Sequence, residues 1–528
     1  MKEENYHKNE QSYEANKIKT FISKSPLGDI YTFDLHVNSL KDEIDNFIKK
    51  NNCEKNVIIQ GLGFVGSAML TAVSSAKNKQ GNPKYAVIGV DLPTPENYWK
   101  VGRINAGSLP IVSSDENLKE VFDRTFENGN IMATTNSYAY EVADIIVVDI
   151  NLDVRKKSPG DVREPIVELE NFKEAMRTIA QRMKPSCLII IETTVPIGTC
   201  ERIILPVIEL EFNNRNLLNT SIKLAHSYER VMPGKNYLQS IISFYRVYSG
   251  VNEISKKKVR EFLESFIDTN NYPLTELSSP TASELGKLLE NSYRATNIAF
   301  IQEWTELAES VGVNLFEVIQ AIKKRNTHNN IMLPGFGVGG YCLSKDPLFA
   351  NWSIFNIFGL SRELNMSVEA VHINDLMTYH SFSLLRKNMG DIRDKKLLLM
   401  GVSYLADVAD TRNSPSEIFY KECVKSGAFI FLHDPIVSYW PEIDLKVEKI
   451  LDRMKNKEMD AIILAVKHEE YFNLTPNDFK DILKPNGLIL DCNDLVDDEK
   501  GEQLRQLGFK LVGVGKGHWN IIKGNKYE

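Results

Sequence analysis

A glycine-rich loop that ends in a cysteine is the most informative segment of this 528-residue sequence. Residues 334–346 read PGFGVGGYCLSKD, so that Lys345 and Asp346 closely follow Cys342. Four glycines in six positions give a loop that side chains cannot crowd. A nearby cation lowers the pKa of a thiol and so increases its nucleophilic thiolate fraction. Most lone cysteines are small buried side chains, but this setting favours a nucleophile.

A second glycine motif, GLGFVG at 61–66, follows an apolar stretch and opens a helical pattern. In such a turn Gly61 permits a tight bend, Gly63 lets the backbone approach a pyrophosphate, and Gly66 lets helix and strand pack closely. Asp91 ends the next predicted strand, where a carboxylate accepts hydrogen bonds from a ribose 2′-OH and repels the extra phosphate of NADP. The motif therefore predicts an NAD site, and the alternative is a structural turn.

Two pairs of polar residues could support such chemistry. Lys287 and Asn291 lie four apart on a helical pattern, so they project from one face. Glu229 and Arg230 follow a short apolar segment. Taken alone, the first pair is more often a solvated helix face, and the second could be a surface ion pair.

Apolar strands alternate with amphipathic helices in two parts of the chain, separated by a helical stretch. The first part has predicted strands at 56–61, 85–91, 143–150 and 187–194 and helices at 64–77 and 167–183. Helical patterns follow at 281–324, with a break near Gly312, and at 347–387; a short helix is predicted at 38–50. The last part has strands at 395–403, 428–435, 460–466, 487–494 and 510–515.

Continuous apolar strands separated by helices indicate parallel sheets covered on both faces. The sequence thus predicts an α/β protein with two Rossmann-like, doubly wound domains joined by a long central helix in a helical domain. The expected divisions are an N-terminal extension (1–54), loosely attached outside its predicted helix, an NAD-binding domain (55–275), a central helical domain (276–390) and a C-terminal α/β domain (391–528).

Composition excludes several other classes of protein. The chain has 63 basic and 70 acidic residues, a net charge of −7, so it has no basic surplus for nucleic acid. No apolar stretch is long enough to span a membrane, and the N-terminus does not resemble a signal peptide. The six cysteines lie far apart without a C-x-x-C pair, which argues against a disulfide framework and a zinc site. We therefore expect a cytoplasmic protein without a metal.

Together these segments resemble the UDP-glucose/GDP-mannose dehydrogenase family, the NAD-dependent nucleotide-sugar 6-dehydrogenases. The resemblance covers about residues 55–517, with landmarks in this order: GLGFVG, KVGRINAG (100–107), ETTVPIGT (192–199), AHSYERVMPG (225–234), ELGKLLENSYRATNIAFIQE (284–303), PGFGVGGYCLSKDP (334–347) and DTRNSP (410–415). The ERVMPG segment is more similar to the branch that oxidises UDP-N-acetylhexosamines, which includes the UDP-N-acetylmannosamine and UDP-N-acetylglucosamine 6-dehydrogenases, than to the UDP-glucose branch.

The resemblance implies a four-electron oxidation of the sugar C6 hydroxyl to a uronate for surface polysaccharide, with a thiohemiacetal and a thioester on Cys342. The implied catalytic residues are Cys342, Lys287, Asn291, Glu229, Asp346 and Thr194. The implied cofactor contacts are Gly61, Gly63, Phe64, Val65, Gly66, Asp91, Lys100, Thr194, Lys345 and Arg412. The expected substrate contacts are Glu229, Arg230, Lys287, Asn291, Phe336, Gly337 and Gly339. A UDP-sugar-binding C-terminal domain and a homodimer or higher homo-oligomer through the central helix are also implied.

The chain departs from the family pattern at four places. Tyr228 and Ser344 stand where proline is common, residues 149–152 (DINL) replace a VPTP-like strand end, and Leu405 replaces a substrate-binding lysine. Two alternatives stay open: a UDP-glucose or GDP-mannose 6-dehydrogenase, and a non-catalytic nucleotide-binding scaffold. A panel of nucleotide sugars would separate the first, and an NADH absorbance assay the second.

Overall fold

The computed structural model of the protein describes residues 20–25, 28–34, 38–111, 113–218, 220–231 and 234–520. Met232 and Pro233 of the AHSYERVMPG segment therefore lie outside the described residues. The N-terminal elements are β1 (Phe21–Lys24), β2 (Ile30–Phe33) and α1 (Asn38–Asn51), and the last of these confirms the predicted short helix.

The first α/β part builds one sheet of eight strands. Its elements are β3 (Lys55–Gln60), α2 (Phe64–Ser74), β4 (Tyr85–Val90), α3 (Tyr98–Asn105), α4 (Glu116–Glu127), β5 (Ile131–Thr134), α5 (Ala139–Val142), β6 (Ile145–Val148), β7 (Val154–Arg155), β8 (Ile166–Val167), α6 (Glu170–Arg182), β9 (Leu188–Ile191), α7 (Leu205–Asn214), β10 (Lys223–His226), α8 (Gln239–Ile242), β11 (Val247–Gly250), α9 (Glu253–Leu263) and β12 (Thr275–Glu276). The strand order is β12-β11-β10-β9-β6-β3-β4-β5, and β7 pairs with β8 outside this sheet.

The four predicted strands of this part are confirmed, and each face of the sheet carries an apolar core. Strands β5, β10, β11 and β12 were not predicted, because they span two to four residues and their apolar runs have at most three residues. The sheet is parallel except that β11 runs antiparallel to β10. The longest helix in the described part of the connection between these two strands is the single turn of α8, whereas a crossover between parallel strands is usually built on an α-helix.

Four helices form the middle of the chain: α10 (Pro280–Ser310), α11 (Leu315–Lys323), α12 (Cys342–Asn356) and α13 (Asn365–Met389). The predicted break near Gly312 is confirmed, because this residue takes a φ of +73° and Asn314 caps the next helix through its side chain. Helix α10 packs against both α12 and α13. No helix among the described residues is long and apolar enough to cross a membrane.

The last part forms a second sheet, which is entirely parallel. Its elements are β13 (Lys396–Met400), α14 (Pro415–Lys425), β14 (Phe429–His433), β15 (Tyr439–Trp440), β16 (Leu445–Lys446), β17 (Met459–Leu464), α15 (Glu469–Phe472), α16 (Pro476–Ile482), β18 (Leu483–Asp491), α17 (Asp498–Gln506) and β19 (Lys510–Gly513). The order β14-β13-β17-β18-β19 contains all five predicted strands, and apolar clusters cover both faces. The predicted fold class is thus confirmed.

The expectation of a loosely attached N-terminal extension is wrong for the part that the structure describes. Strands β1 and β2 pair as an antiparallel hairpin, and the hairpin packs against α3. Phe33 is 5% exposed and its ring stacks on Tyr98 of α3 at 4.4 Å. The sequence hid this element because each strand has only four residues, of which one or two are apolar and face inward.

Candidate active site

The turn between β3 and α2 has the geometry of a dinucleotide cradle. Gly61 takes a φ of +98°, and a Cβ on it would lie 2.6 Å from the backbone oxygen of Asp149. A Cβ on Gly66 would lie 1.8 Å from the Gly61 oxygen, so the close packing of helix and strand requires glycine. By contrast, a Cβ on Gly63 would meet no protein atom within 4 Å. The space beside Gly63 therefore fits a pyrophosphate at the N-terminus of α2, whose first residues are Phe64 and Val65.

Asp91 lies directly after β4 beside this turn, where its carboxylate would meet a ribose. Its Oδ2 accepts hydrogen bonds from the Leu62 amide at 3.0 Å and from Lys100 Nζ at 3.1 Å. Its Oδ1 accepts from the Leu92 amide at 2.8 Å. Both Asp91 and Lys100, two predicted cofactor contacts, therefore lie at the same edge of the sheet as the glycine turn.

The C-terminal part of the chain reaches this turn through Arg412. The guanidinium of Arg412 lies 4.7 Å from the ring centroids of both Phe64 and Tyr341. Asp410 fixes it in a two-pronged pair, with distances of 2.8 Å to Nε and 2.6 Å to Nη2. This predicted cofactor contact therefore joins the glycine turn to the residue before Cys342, across the crevice between the two sheets.

Two helices bring four predicted catalytic residues together. Cys342 and Asp346 lie one turn apart on α12, and Lys287 and Asn291 lie one turn apart on α10. Asn291 Nδ2 donates to Asp346 Oδ2 at 2.6 Å. The Cys342 side chain is exposed, whereas Asp346 is fully buried and its Oδ1 has no hydrogen-bond partner. The helix spacing thus sets a thiol and a carboxylate opposite an ammonium and an amide.

The environment of Cys342 differs from what the sequence predicts. Desolvation by the surrounding protein and the charge of Asp346 raise the pKa of the Cys342 thiol to about 11, although Lys287 opposes them. The expected cation Lys345 lowers this pKa only weakly, because its Nζ donates to the Leu152 backbone oxygen at 2.5 Å. The prediction of an activated thiolate is therefore wrong for the free protein, in which the thiol holds its proton at neutral pH.

Lys287 is buried and keeps its charge. Burial works against the ammonium, but the neighbouring Glu229, Cys342 and Asp346 raise the pKa of Lys287 overall. Its Nζ donates to the Glu229 backbone oxygen at 2.8 Å and lies 5.5 Å from the ring centroid of Tyr228. The tyrosine that replaces the family's proline therefore supplies a π face to this cation.

Three other predicted site residues, Arg230, Thr194 and Phe336, have different surroundings. Arg230 pairs with Glu290 of α10 at 3.0 Å, and Thr194 lies partly exposed on the loop after β9. Phe336 is 3% exposed and packs on Phe419 within the C-terminal core, so its ring faces away from the crevice.

The glycines of the cysteine loop pack against the C-terminal α/β part. A Cβ on Gly337 would lie 2.9 Å from Pro415, and one on Gly339 would lie 2.7 Å from Tyr404. Leu405, next to Tyr404, is exposed, so no lysine ammonium extends from this position. The two predicted substrate glycines thus hold the cysteine loop against the segment that carries Leu405.

Sequence reasoning missed a buried charged cluster beside the glycine turn. Asp149 follows β6, and neither of its carboxylate oxygens has a hydrogen-bond partner. Burial and the neighbouring Glu229 raise the pKa of Asp149 well above its ordinary value. Arg246, which opposes this shift, forms a buried ion pair with Glu192. The sequence signal that could have found this cluster is an acidic residue directly after an apolar strand.

Comparison with known proteins identifies the family to which this arrangement belongs. Three models of the UDP-glucose/GDP-mannose dehydrogenase family match the chain: the NAD binding domain at residues 55–267, the central domain at 281–375 and the UDP binding domain at 398–498. The chain belongs to this family. It is an NAD-dependent nucleotide-sugar dehydrogenase, and NAD is its cofactor.

Individual relatives cover nearly the whole chain. The UDP-N-acetyl-D-mannosamine dehydrogenase of Methanocaldococcus jannaschii is 28% identical over 89% of this chain and 99% of its own. An NDP-N-acetyl-D-galactosaminuronic acid dehydrogenase of Ralstonia nicotianae is 26% identical over 80% and 92%. The solved structure of a UDP-D-ManNAc dehydrogenase from Pyrococcus horikoshii matches with a TM-score of 0.72 and 25% identity, covering 88% of this chain and all of that one.

Proposed function

We propose that this family member oxidises the C6 hydroxyl of a UDP-N-acetylhexosamine to a carboxylate and that Cys342 carries the sugar between the two oxidations. The supporting observation is the set of facing pairs on α10 and α12, at the crevice that Arg412 bridges. The relatives named for N-acetylated sugars support the substrate class. The product is a uronate suited to surface polysaccharide.

The first oxidation turns the C6 alcohol into an aldehyde: C6 gives up a hydride, and the hydroxyl proton passes to solvent. NAD held at the glycine turn would supply the hydride acceptor, and the two oxidations would use two NAD molecules in succession. Lys287 and Asn291 stabilise the alkoxide character that develops on the oxygen, each donor contributing about 3 kcal/mol. Because its neighbours raise the pKa of Lys287, this ammonium stays charged while it acts.

Cys342 then forms the covalent intermediate. Its sulfur adds to the aldehyde carbon, the carbonyl π bond breaks, and the thiol proton passes to the oxygen to give a thiohemiacetal. The loss of a second hydride and the hydroxyl proton leaves a thioester. Since the pKa of the free thiol is raised to about 11, Lys287 has to stabilise the thiolate as it attacks.

Hydrolysis of the thioester completes the reaction. Water adds to the carbonyl carbon, the C–S bond breaks, and the thiol of Cys342 is restored. Asp346, with one carboxylate oxygen unpartnered, and Glu229, beside Lys287, are the groups that position or deprotonate this water. Because hydrolysis of the thioester is strongly favourable, the release of the uronate is irreversible.

The test is NADH release from UDP-N-acetylglucosamine, UDP-N-acetylmannosamine, UDP-N-acetylgalactosamine, UDP-glucose and GDP-mannose. We expect one of the three N-acetylated sugars to be turned over fastest. Two NADH should form for each uronate, with the uronate measured by mass spectrometry. Faster turnover of UDP-glucose or GDP-mannose would overturn the substrate class. One NADH per sugar would mean that the reaction stops at the aldehyde, and none with any sugar would mean a non-catalytic scaffold.

We further propose that α10 forms a homodimer interface. Its exposed apolar side chains follow helical spacing along one face, namely Leu285, Leu289, Tyr293, Phe300, Trp304 and Leu307. Light scattering coupled to gel filtration should give twice the chain mass for the wild type. Leu289→Asp should shift it to the monomer, and an unchanged mass would contradict this interface.

A further inference from the structure

The N-terminal hairpin contacts the helix that carries Lys100. The buried hydroxyl of Ser23 in β1 accepts a hydrogen bond from the Trp99 amide at 2.9 Å and donates to the Pro95 backbone oxygen at 2.5 Å. One side chain of the hairpin thus fixes both the loop after β4 and the first turn of α3.

Two aromatic rings and an ion pair extend the contact along α3. Phe33 stacks on Tyr98 at 4.4 Å, and Tyr31 packs so closely on the helix backbone that a Cβ on Gly102 would lie 2.4 Å from its ring. Asp29, at the turn of the hairpin, pairs with Arg103. The hairpin therefore binds α3 from its first turn to its last.

Lys100 of the same helix contacts the cofactor carboxylate. Its Nζ donates to Asp91 Oδ2 at 3.1 Å and to Asn97 Oδ1 at 2.7 Å, while Asp91 also accepts from the amide of Leu62 in the glycine turn. Contacts thus run without interruption from the hairpin through α3 to the turn that would hold the pyrophosphate.

Helix α3 needs such support. It has eight residues, and no side chain caps its N-terminus. Isolated helices shorter than about 12 residues are marginal in water, so the position of Lys100 depends on what packs against this helix. Val101 and Ile104 pack α3 into the core of the first sheet, where Asn105 also forms hydrogen bonds with Ala133 of β5. The hairpin supplies packing to the parts of α3 that the sheet leaves uncovered, at Tyr98, Gly102 and Arg103.

We propose that the hairpin of β1 and β2 is a positioning element of the NAD site: it holds α3 so that Lys100 and Asp91 meet the cofactor ribose. The proposal rests on the assignment of Asp91 and Lys100 to that ribose. The contact between Tyr31 and Gly102 is the most useful one to test, because Gly102 has no side chain and so leaves room for the Tyr31 ring.

The experiment uses Gly102→Ala in the full-length protein. The added methyl group must displace the Tyr31 ring, although alanine itself favours a helix. We expect the dissociation constant of NAD, measured by calorimetry without sugar, to rise roughly tenfold. The KM for the sugar and kcat at saturating NAD should stay within about twofold, since no group that touches the sugar moves.

Three further variants make the test specific. Tyr31→Ala should weaken NAD binding as much as Gly102→Ala does, and the double variant should be no weaker than either, because both remove the same contact. Tyr31→Phe should bind NAD with wild-type affinity, since it keeps the aromatic ring. Ile30→Ala, on the exposed face of the same hairpin, is the matched control and should change nothing.

Three outcomes would overturn the proposal, and they can be told apart. If Asp91→Ala weakens NAD binding but Gly102→Ala and Tyr31→Ala do not, the hairpin is not a positioning element and the cofactor site stands. If Asp91→Ala also leaves NAD binding unchanged, the ribose assignment itself fails. An equal rise in the KM values for NAD and sugar in Tyr31→Ala would show a general structural role and overturn the proposal as well.

Discussion

The two α/β parts of the chain begin with the same turn and use it differently. Gly61 and Gly401 both take a φ of +98°, and each donates its amide to the carbonyl at the end of the neighbouring strand at 2.8 Å. In each part the next amide donates to an aspartate that follows the second strand, Asp91 at 3.0 Å and Asp434 at 2.9 Å. Up to this point the two halves are structural echoes.

They differ in what surrounds the aspartate. Asp434 is fully buried, and its partners are all protein groups, namely the amides of Val402, Ser403, Ile436 and Val437 and the ring of His468. Asp91 stays 7% exposed, and its one side-chain partner is Lys100. The carboxylate of the first half is thus available to a ligand, whereas that of the second half is part of the core.

The two turns also lead to different structures. Helix α2 begins at Phe64, three residues after Gly61, so its N-terminus faces the phosphate position. Helix α14 begins only at Pro415, and the intervening loop carries Arg412 across to the first half. The same fold thus gives the same turn in both halves. The residues that follow the turn determine whether it binds a ligand, as in the first half, or carries a loop that contacts the other half, as in the second.

The largest expected effect separates the two aspartates. Asp434→Asn should lower the free energy of unfolding by about 3 kcal/mol, because it replaces a buried carboxylate that accepts several hydrogen bonds and leaves some of their donors unpaired. Asp91→Asn should change this free energy little and instead weaken NAD binding. Urea unfolding and calorimetry measure both, and an equal effect of the two variants on stability would contradict the comparison.

The pH dependence of unfolding tests whether the Asp434 carboxylate contributes to stability. Burial alone would raise the pKa of Asp434, but the His468 hydrogen bond and backbone amides lower it overall. A lowered folded-state pKa gives stability that is present at neutral pH and is lost as the pH falls below about 4. The Asp434→Asn variant should therefore lose less stability than the wild type between neutral and acid pH.

The thiol between the two halves should show its raised pKa directly. In a Cys53→Ser background, which leaves Cys342 as the one cysteine that is not buried among the described residues, we expect alkylation by iodoacetamide to accelerate about tenfold per pH unit from about pH 7 to 10. The reason is a pKa of about 11 for the Cys342 thiol. A rate that levels off above about pH 9.5, as it would for a thiol of ordinary pKa, would contradict it.

Gly63→Ala tests whether the first turn is shaped for a ligand. A Cβ there would meet no protein atom within 4 Å, so the melting temperature should stay the same. The dissociation constant of NAD should rise roughly tenfold, because the methyl group occupies the phosphate space. Gly61→Ala is the control, since its φ of +98° makes it destabilising. A destabilised Gly63→Ala protein would contradict this account of the turn.

The smallest effect is expected at the bridge between the halves. Arg412→Lys keeps the charge but loses the planar stacking on Phe64 and Tyr341. We expect the KM for NAD to rise a few-fold, with kcat nearly unchanged. Steady-state kinetics measure this, and a loss confined to kcat would place Arg412 in the chemistry instead.

Most of the fold could be predicted from the sequence, because long apolar strands alternate with amphipathic helices. The elements that were missed are the short ones, such as β5 and the hairpin of β1 and β2, whose few apolar residues give no periodic signal. Tertiary contacts with α3 stabilise the hairpin, and sequence patterns do not reveal such contacts.

The sequence could predict which residues form the candidate site, but not the electrostatic environment that they create. Motif order identified Cys342, Lys287 and Asn291, and helix spacing explains why they meet. The raised pKa of the thiol could not be predicted, because closeness in sequence does not tell where Lys345 points.

The most direct test of the proposed chemistry is a single turnover with Cys342→Ala and the preferred sugar, measuring NADH and uronate together. The account predicts that no uronate forms and that fewer than one NADH per enzyme appears, because the aldehyde has no sulfur to hold it. Cys53→Ala, a matched change at the opposite end of β3 from the glycine turn, should give the wild-type two NADH and one uronate. Wild-type uronate formation by Cys342→Ala would contradict the covalent route.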